Sequence, residues 1–461
     1  MGLSLALAAH RQDNIDEALI QYSRAFDQDI KDWRLYQNYG ALLREKGEFD
    51  KATVVYKKGL DFYPLHIGII GNYANLCSSV NPTKSLGLFL LGLHVCLSDP
   101  KKYPSELPLF YSYVLDRLID LKLYHWASSL LSRALYHVGA TPSLLKNLLI
   151  LLSEPSFNNR LKSLKSEFEY LVLDSIDKCS DVDAIALYFA IANYYRMLCD
   201  HVSSAKYYDL AMKRASFAPG ILADDRYKLQ HLVDVHSWNC SSLLLQSGNF
   251  ERGWSLFEYG LRCPADGTQK WQRALIKPFT SDQLPLWTGQ CGVGKHLLLL
   301  EEQAIGDVIM FVSLIPLLFE EFALIGLLTS IRLAPILHRS FSSEITAGKF
   351  VLYTPADIKD GTLSSSNFDF QSAIGSICSK RFTSIDHFAP KVPFLISNST
   401  LTNQFRTEYL KHGVKKDFLV GVSWRGGGRG KRIEEKSMNQ DLFKNFLLKH
   451  PGFRFVDLQY G

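Results

Sequence analysis

The chain predicts an α-solenoid followed by a parallel, Rossmann-like α/β region, and three observations carry that prediction. Six pairs of similar residues near the start recur at an offset of 34 (Ala18/Ala52, Tyr22/Tyr56, Ala25/Gly59, Phe26/Leu60, Asp16/Asp50 and Ile15/Phe49), the period of a two-helix repeat. The run Leu297 to Leu300 is too short for a helix and stops at a polar cluster containing Gly306, so it reads as a buried parallel strand ending near Glu301. Behind it, Val308, Ile309, Phe311, Val312 and Ile315 fall at helical spacing, so a helix starts at the turn.

Composition bounds the rest. At 461 residues with 47% hydrophobic and 21% charged side chains, the chain has core material for roughly two to four domains. A net charge of +5 is mild for this length and gives no clustered basic face for nucleic acid. The eight cysteines are scattered without a C-x-x-C pair, the pattern of buried, reduced thiols in a cytoplasmic protein. Near the N-terminus the apolar stretch is too short for a signal peptide. No apolar run reaches the ~18 residues of a membrane span.

From the start to about residue 264 the signal is helix pairs. In the second unit, Tyr36, Tyr39, Gly40 and Leu43 mark one helix, Gly47 the turn, and Ala52, Tyr56, Gly59 and Pro64 the other. Small residues let the helices approach while large ones fill the gap. This unit closely resembles the tetratricopeptide family. Weaker units follow at Ala127, Leu131 and Ala134, at Ala192, Tyr195, Ser204, Tyr208 and Ala211, and from Trp238 to Tyr259, about six in all. Such an array implies a concave face for a protein or peptide partner.

Residues 265–295, with Pro278, Pro285 and the segment LPLWTGQ, form a linker. Residues 296–415 then alternate strand and helix: Ala323 to Leu328 and Phe350 to Tyr353 read as strands around the helical pattern Arg332 to Ser342. Phe368, Phe370, Ile374 and Ile377 read as a partly buried connection, and Leu401 to His412 as a helix. Residues 416–461 begin a second α/β unit, with strands Phe418 to Trp424 and Phe453 to Leu458 around helix Gln440 to His450. This last unit is expected to be truncated, because one βαβ unit does not complete a nucleotide-binding half-domain.

Taken in order, the solenoid, WTGQ, EEQAIGDVIMF, RLAPILHRSF and VGVSWRGGG resemble tetratricopeptide proteins carrying a glycosyltransferase domain of the GT-B type. The architecture is similar to that of O-GlcNAc transferases, and the Gly-Asp turn to that of heptosyltransferases. The resemblance implies a nucleotide-sugar donor and no metal or other cofactor. It makes Asp307 the candidate base on the acceptor hydroxyl, with Gln303 and Gly306 shaping the acceptor pocket. It assigns the leaving diphosphate to Ser423, Arg425, Gly426, Gly427, Lys431, Arg432 and Ser437, since glycines admit close approach and cations balance phosphate charge. Two plainer readings stand beside these: Asp307 caps its helix while Gly306 only makes the turn, and the basic loop is a solvated linker. A rival function follows, a non-catalytic tetratricopeptide scaffold with a degenerate transferase remnant.

Overall fold

The computed structural model describes residues 2–12, 14–154, 165–216, 223–262, 273, 277–388, 393–410, 419–425 and 437–459. The chain divides into two compact units, Met1–Trp271 with Phe382–Ile385, and Gln272–Arg381 with Asp386–Gly461.

The first unit is helical. Its described helices are α1 (Gly2–Arg11), α2 (Ile15–Asp27), α3 (Trp33–Glu45), α4 (Phe49–Phe62), α5 (Ile67–Cys77), α6 (Pro82–Ser98), α7 (Glu106–Asp120), α8 (Tyr124–Val138), α9 (Pro142–Ser153), α10 (Lys165–Ile176), α11 (Asp181–Met197), α12 (His201–Ser216), α13 (Ala223–Gln246) and α14 (Phe250–Phe257). Six consecutive pairs pack intimately: α1 with α2, α3 with α4, α5 with α6, α7 with α8, α11 with α12, and α13 with α14. Helices α9 and α10 stand between the fourth and fifth pairs. Side chains of Asn14, Asp32, Asn81, Ser180 and Asn249 accept backbone N–H bonds at helix starts, satisfying donors that a helix cannot pair internally.

The 34-residue period has a direct packing cause. Ala18, Tyr22, Ala25, Ala52 and Tyr56 are all fully buried. A Cβ on Gly40 would lie 2.3 Å from the Tyr56 ring, so only glycine lets α3 and α4 close over that tyrosine. This is a tetratricopeptide-like solenoid, whose core continues from Leu3 through Ile69 and Ile70 to Tyr195 and beyond.

The second unit carries a four-stranded parallel sheet of β1 (His296–Leu300), β2 (Leu324–Leu328), β3 (Phe350–Tyr353) and β4 (Phe370–Ala373), in the order β3-β2-β1-β4. Leu297 to Leu300 are buried as their continuous apolar run requires. The helices that connect these strands are α15 (Ile305–Val312), α16 (Ala334–Ser340), α17 (Ser342–Thr346) and α18 (Pro355–Lys359), and α19 (Ser376–Arg381) follows β4. Gly326 gives Phe368 room at the sheet, since a Cβ there would meet the ring at 2.5 Å.

Strand β4 corrects the sequence reading, which places residues 368–377 in a connection. Gln371 and Ser372 interrupt the apolar pattern, yet both are buried. Gln371 donates its amide to the Leu284 carbonyl at 2.6 Å, and its backbone pairs with Pro285 and Trp287. The stretch expected as a linker therefore continues the sheet past β4. Trp287 explains the WTGQ segment: it is buried, donates to the Gln290 carbonyl, meets Phe322 edge-on and lies under the Arg381 guanidinium.

Helix α20 (Ser399–Leu410) precedes the second sheet, a parallel pair β5 (Leu419–Val422) and β6 (Arg454–Asp457) with α21 (Gln440–Lys449) between them. No described residue of 419–425 or 437–459 is fully buried. Among the described residues no helix is long and apolar enough to cross a membrane. The seven described cysteines are unbridged, but Cys199 and Cys291 are exposed rather than buried.

Candidate functional site

The strand order reverses between β1 and β4, and ligands of open parallel sheets bind beyond the carboxyl ends of strands at such a reversal. The residues that leave β1 there are Glu301, Glu302, Gln303, Ala304, Ile305, Gly306 and Asp307. Each has a defined place.

Glu301 turns towards β2. Its carboxylate accepts the Ser330 N–H at 2.6 Å and the Thr329 hydroxyl. Glu302 points into the core, with Arg273 as its partner. Arg273 Nε donates to Glu302 Oε1 at 3.2 Å, both side chains are inaccessible to solvent, and Arg273 Nη2 donates to Ser376 Oγ at 3.0 Å. Charge pairing offsets the desolvation that would make either ion untenable alone. Sequence analysis gives no role to Arg273, Glu302 or Ser376. The Glu-Glu doublet after a buried strand is a visible signal, but its cation lies 29 residues upstream with no periodic relation to it.

Gln303 makes the turn. Its φ of +62° is left-handed, a conformation that non-glycine residues adopt sparingly. The expectation that Gly306 makes the turn is thereby corrected: Gly306 lies within α15, lacks a positive φ, and a Cβ there would meet open space. Ala304 is the residue before α15, and its N–H donates to Asp307 Oδ2 at 3.2 Å. Asp307 therefore holds the start of its helix by reaching back three residues, the reciprocal half of a capping box. One carboxylate oxygen is oriented by this bond, and the side chain is half-buried at the sheet's carboxyl edge.

The second cluster is partly described. Ser423 and Arg425 follow β5 and are drawn together by Gln459, whose side-chain oxygen accepts from Ser423 Oγ at 3.1 Å and from the Arg425 N–H at 2.9 Å. Trp424 stacks on Phe443 of α21, and its carbonyl accepts the N–H of Met438, next to Ser437. The Arg425 residue is exposed. Gly426, Gly427, Lys431 and Arg432 lie outside the described residues.

Comparison with known proteins gives limited overlap. No protein-family model matches the chain. Protein FlbA of Caulobacter vibrioides is 25% identical over 232 residues, covering 48% of this chain. The match spans 36% of the length of that relative. Among solved structures, a tetratricopeptide repeat protein from Parabacteroides merdae covers 56% of the chain and 90% of its own, with 16% identity and a TM-score of 0.42. PilW, a type IV pilus biogenesis factor, covers 48% of the chain and 93% of its own at 17% identity and a TM-score of 0.35. YrrB, described as a TPR protein with an unusual peptide-binding site, covers 42% of the chain and 91% of its own at 13% identity and a TM-score of 0.30. The fold assignment rests on the helix pairing itself.

Proposed function

We propose that this protein is a glycosyltransferase of the GT-B class that transfers a sugar from a nucleotide-sugar donor, with its solenoid holding a protein or peptide partner. The observation that supports this best is the placement of the EEQAIGD turn: it leaves the carboxyl end of β1 at the reversal of strand order, with Asp307 half-exposed there. In a single inverting displacement, the acceptor hydroxyl oxygen bonds to the anomeric carbon as the bond to the diphosphate oxygen breaks. The leaving nucleoside diphosphate carries away that electron pair, and the hydroxyl proton passes to Asp307 acting as base. Ser423, Arg425 and Ser437, with Gly426, Gly427, Lys431 and Arg432, receive the diphosphate, so that arginine and lysine take the part that a metal plays elsewhere.

A second reading has its own observation. The Asp307 carboxylate is already occupied by the Ala304 N–H, which accounts for an aspartate at that position without catalysis. On that reading the α/β unit is a remnant, and the protein is a tetratricopeptide scaffold.

Calorimetric titration of nucleoside diphosphates and nucleotide sugars into the full chain, beside Arg425→Ala, separates the two. The transferase reading expects saturable binding of a diphosphate that Arg425→Ala weakens. No heat at millimolar ligand leaves the scaffold reading standing and removes the other.

A further inference from the structure

In the solenoid, the start of α3, the α4–α5 connection and the α6–α7 connection frame an open groove of about 760 Å³. Its walls are aromatic: Trp33, Phe62, Tyr63 and Tyr103 line it, and Trp33 and Phe62 are exposed. Most of these rings are fixed by their neighbours. Trp33 stacks on His66 with centroids 4.5 Å apart. The fully buried Tyr36 packs against Phe62 at 5.9 Å and against Tyr63 at 6.3 Å.

The polar atoms of these rings are donors that the protein leaves unused. Among the described residues, Trp33 Nε1 and the hydroxyls of Tyr63 and Tyr103 have no hydrogen-bond partner. His66 Nδ1 accepts the Ile69 N–H at 3.4 Å at the start of α5, which leaves the ring proton on Nε2. Burial lowers the His66 pKa and so favours this neutral ring. Acceptors are scarce by comparison. Asp99 is the one carboxylate among the lining residues, and it already accepts the Lys102 N–H at 3.3 Å. Ser98 Oγ donates to the Val95 carbonyl at 2.7 Å, and the Lys102 ammonium lies over the Tyr103 ring. Such a groove suits a ligand that brings apolar rings and free acceptors but few donors.

We propose that this groove binds a proline-rich segment of the partner protein in the polyproline II conformation. Its proline rings pack among Trp33, Tyr63 and Tyr103, and its carbonyls accept from their N–H and O–H groups. A polyproline II chain makes no internal hydrogen bonds, and each proline removes a backbone donor, so its free groups are carbonyl acceptors. It also arrives ordered, so docking costs little conformational entropy. Other ligands match the groove less well. A helix has already used its carbonyls, and an added strand needs an open sheet edge, whereas the described residues of the solenoid are helical. A glycan brings many hydroxyl donors to a groove with one carboxylate. The inference rests on the solenoid's proposed partner-holding role, names the chemistry that this part of it selects, and is independent of the transferase reading.

The test is fluorescence anisotropy of a labelled deca-proline peptide with the full chain, beside peptide selection from a random displayed library. Saturable binding of deca-proline is expected, with a Gly/Ser peptide of equal length inert, and selected peptides should be enriched in proline. Trp33→Ala should weaken binding about tenfold or more. Tyr63→Phe and Tyr103→Phe, which remove only a hydroxyl, should each weaken it about three- to tenfold. Trp126→Ala, at an exposed residue of α8 outside the groove, should leave it unchanged. Circular dichroism melting checks that Trp33→Ala is folded, and the two phenylalanine variants keep the test decisive if it is not. Three results overturn the groove: neither deca-proline binding nor proline enrichment, binding indifferent to all three groove substitutions, or a glycan-array ligand that Trp33→Ala abolishes while proline peptides do not bind. Library binders without proline would leave the partner-holding role intact, whereas no binders at all would remove that role too, so the two failures are distinguishable.

Discussion

Two titratable side chains of the solenoid carry opposite pH signatures. Burial and the neighbouring cations Lys146 and Arg196 push the His236 pKa down to about 4. The unfolded chain therefore takes up this proton first, and the stability contributed by the neutral ring, present above about pH 6.5, is lost as pH falls towards 4. Asp116 is the reverse: burial raises it to about 6 against the pull of Arg117 and Lys146, so folding takes up a proton and stability grows as pH falls from 6 towards 3.8. Each effect amounts to at most roughly 3 kcal/mol. In the parent protein they largely cancel between pH 4 and 6; urea unfolding should show Asp116→Asn losing stability with acid relative to it, and His236→Gln gaining. Matching slopes in all three proteins would contradict these assignments. Residue spacing could not reveal this pair, because the cations acting on His236 come from two other helices, 90 and 40 positions away.

At the scale of the element, the turn after β1 has a capping task that substitution can isolate. Asp307 holds the first turn of α15 through the Ala304 N–H. Asp307→Asn keeps an acceptor oxygen in the same place, whereas Asp307→Ala removes it. Thermal or urea unfolding should therefore find Asp307→Asn close to the parent and Asp307→Ala weaker by about 0.5–1 kcal/mol; equal loss in both would deny the capping role. The elements that sequence reasoning recovered are those with one-sided or continuous apolar patterns: the helix pairs around Ala18, Tyr22, Ala52 and Tyr56, strands β1, β2 and β3, and the β5-α21-β6 unit. Strand β4 was illegible because Gln371 and Ser372 are polar. Gln371 is tolerated inside because it bonds carbonyls of residues 279, 280 and 284, partners that become neighbours only after folding, and Ser372 donates to the adjacent Ala373 carbonyl. The turn's left-handed residue was misjudged for a related reason. Glycine is the usual occupant of that conformation, and here Gln303 adopts it while Gly306 joins the helix.

For the whole molecule, the order of elements was legible from period and pattern, while the chemistry was legible only as candidates. Asp307 lies in the first turn of α15, beyond the carboxyl end of β1, and Ser423 and Arg425 share Gln459 at the end of β5. The buried Arg273–Glu302–Ser376 cluster escaped notice because its members are 29 and 103 residues apart. The solenoid and the α/β unit are separate compact units, so the proposed partner binding and the proposed sugar transfer can be tested separately. The most direct measurement is release of nucleoside diphosphate from a panel of nucleotide sugars by the full chain, with Asp307→Asn alongside. Because the amide preserves the helix cap, any lost activity reports proton transfer rather than folding. The account predicts turnover by the parent and a fall of about 100-fold or more in Asp307→Asn at unchanged melting temperature. Equal diphosphate release by both proteins, or none by either, contradicts it.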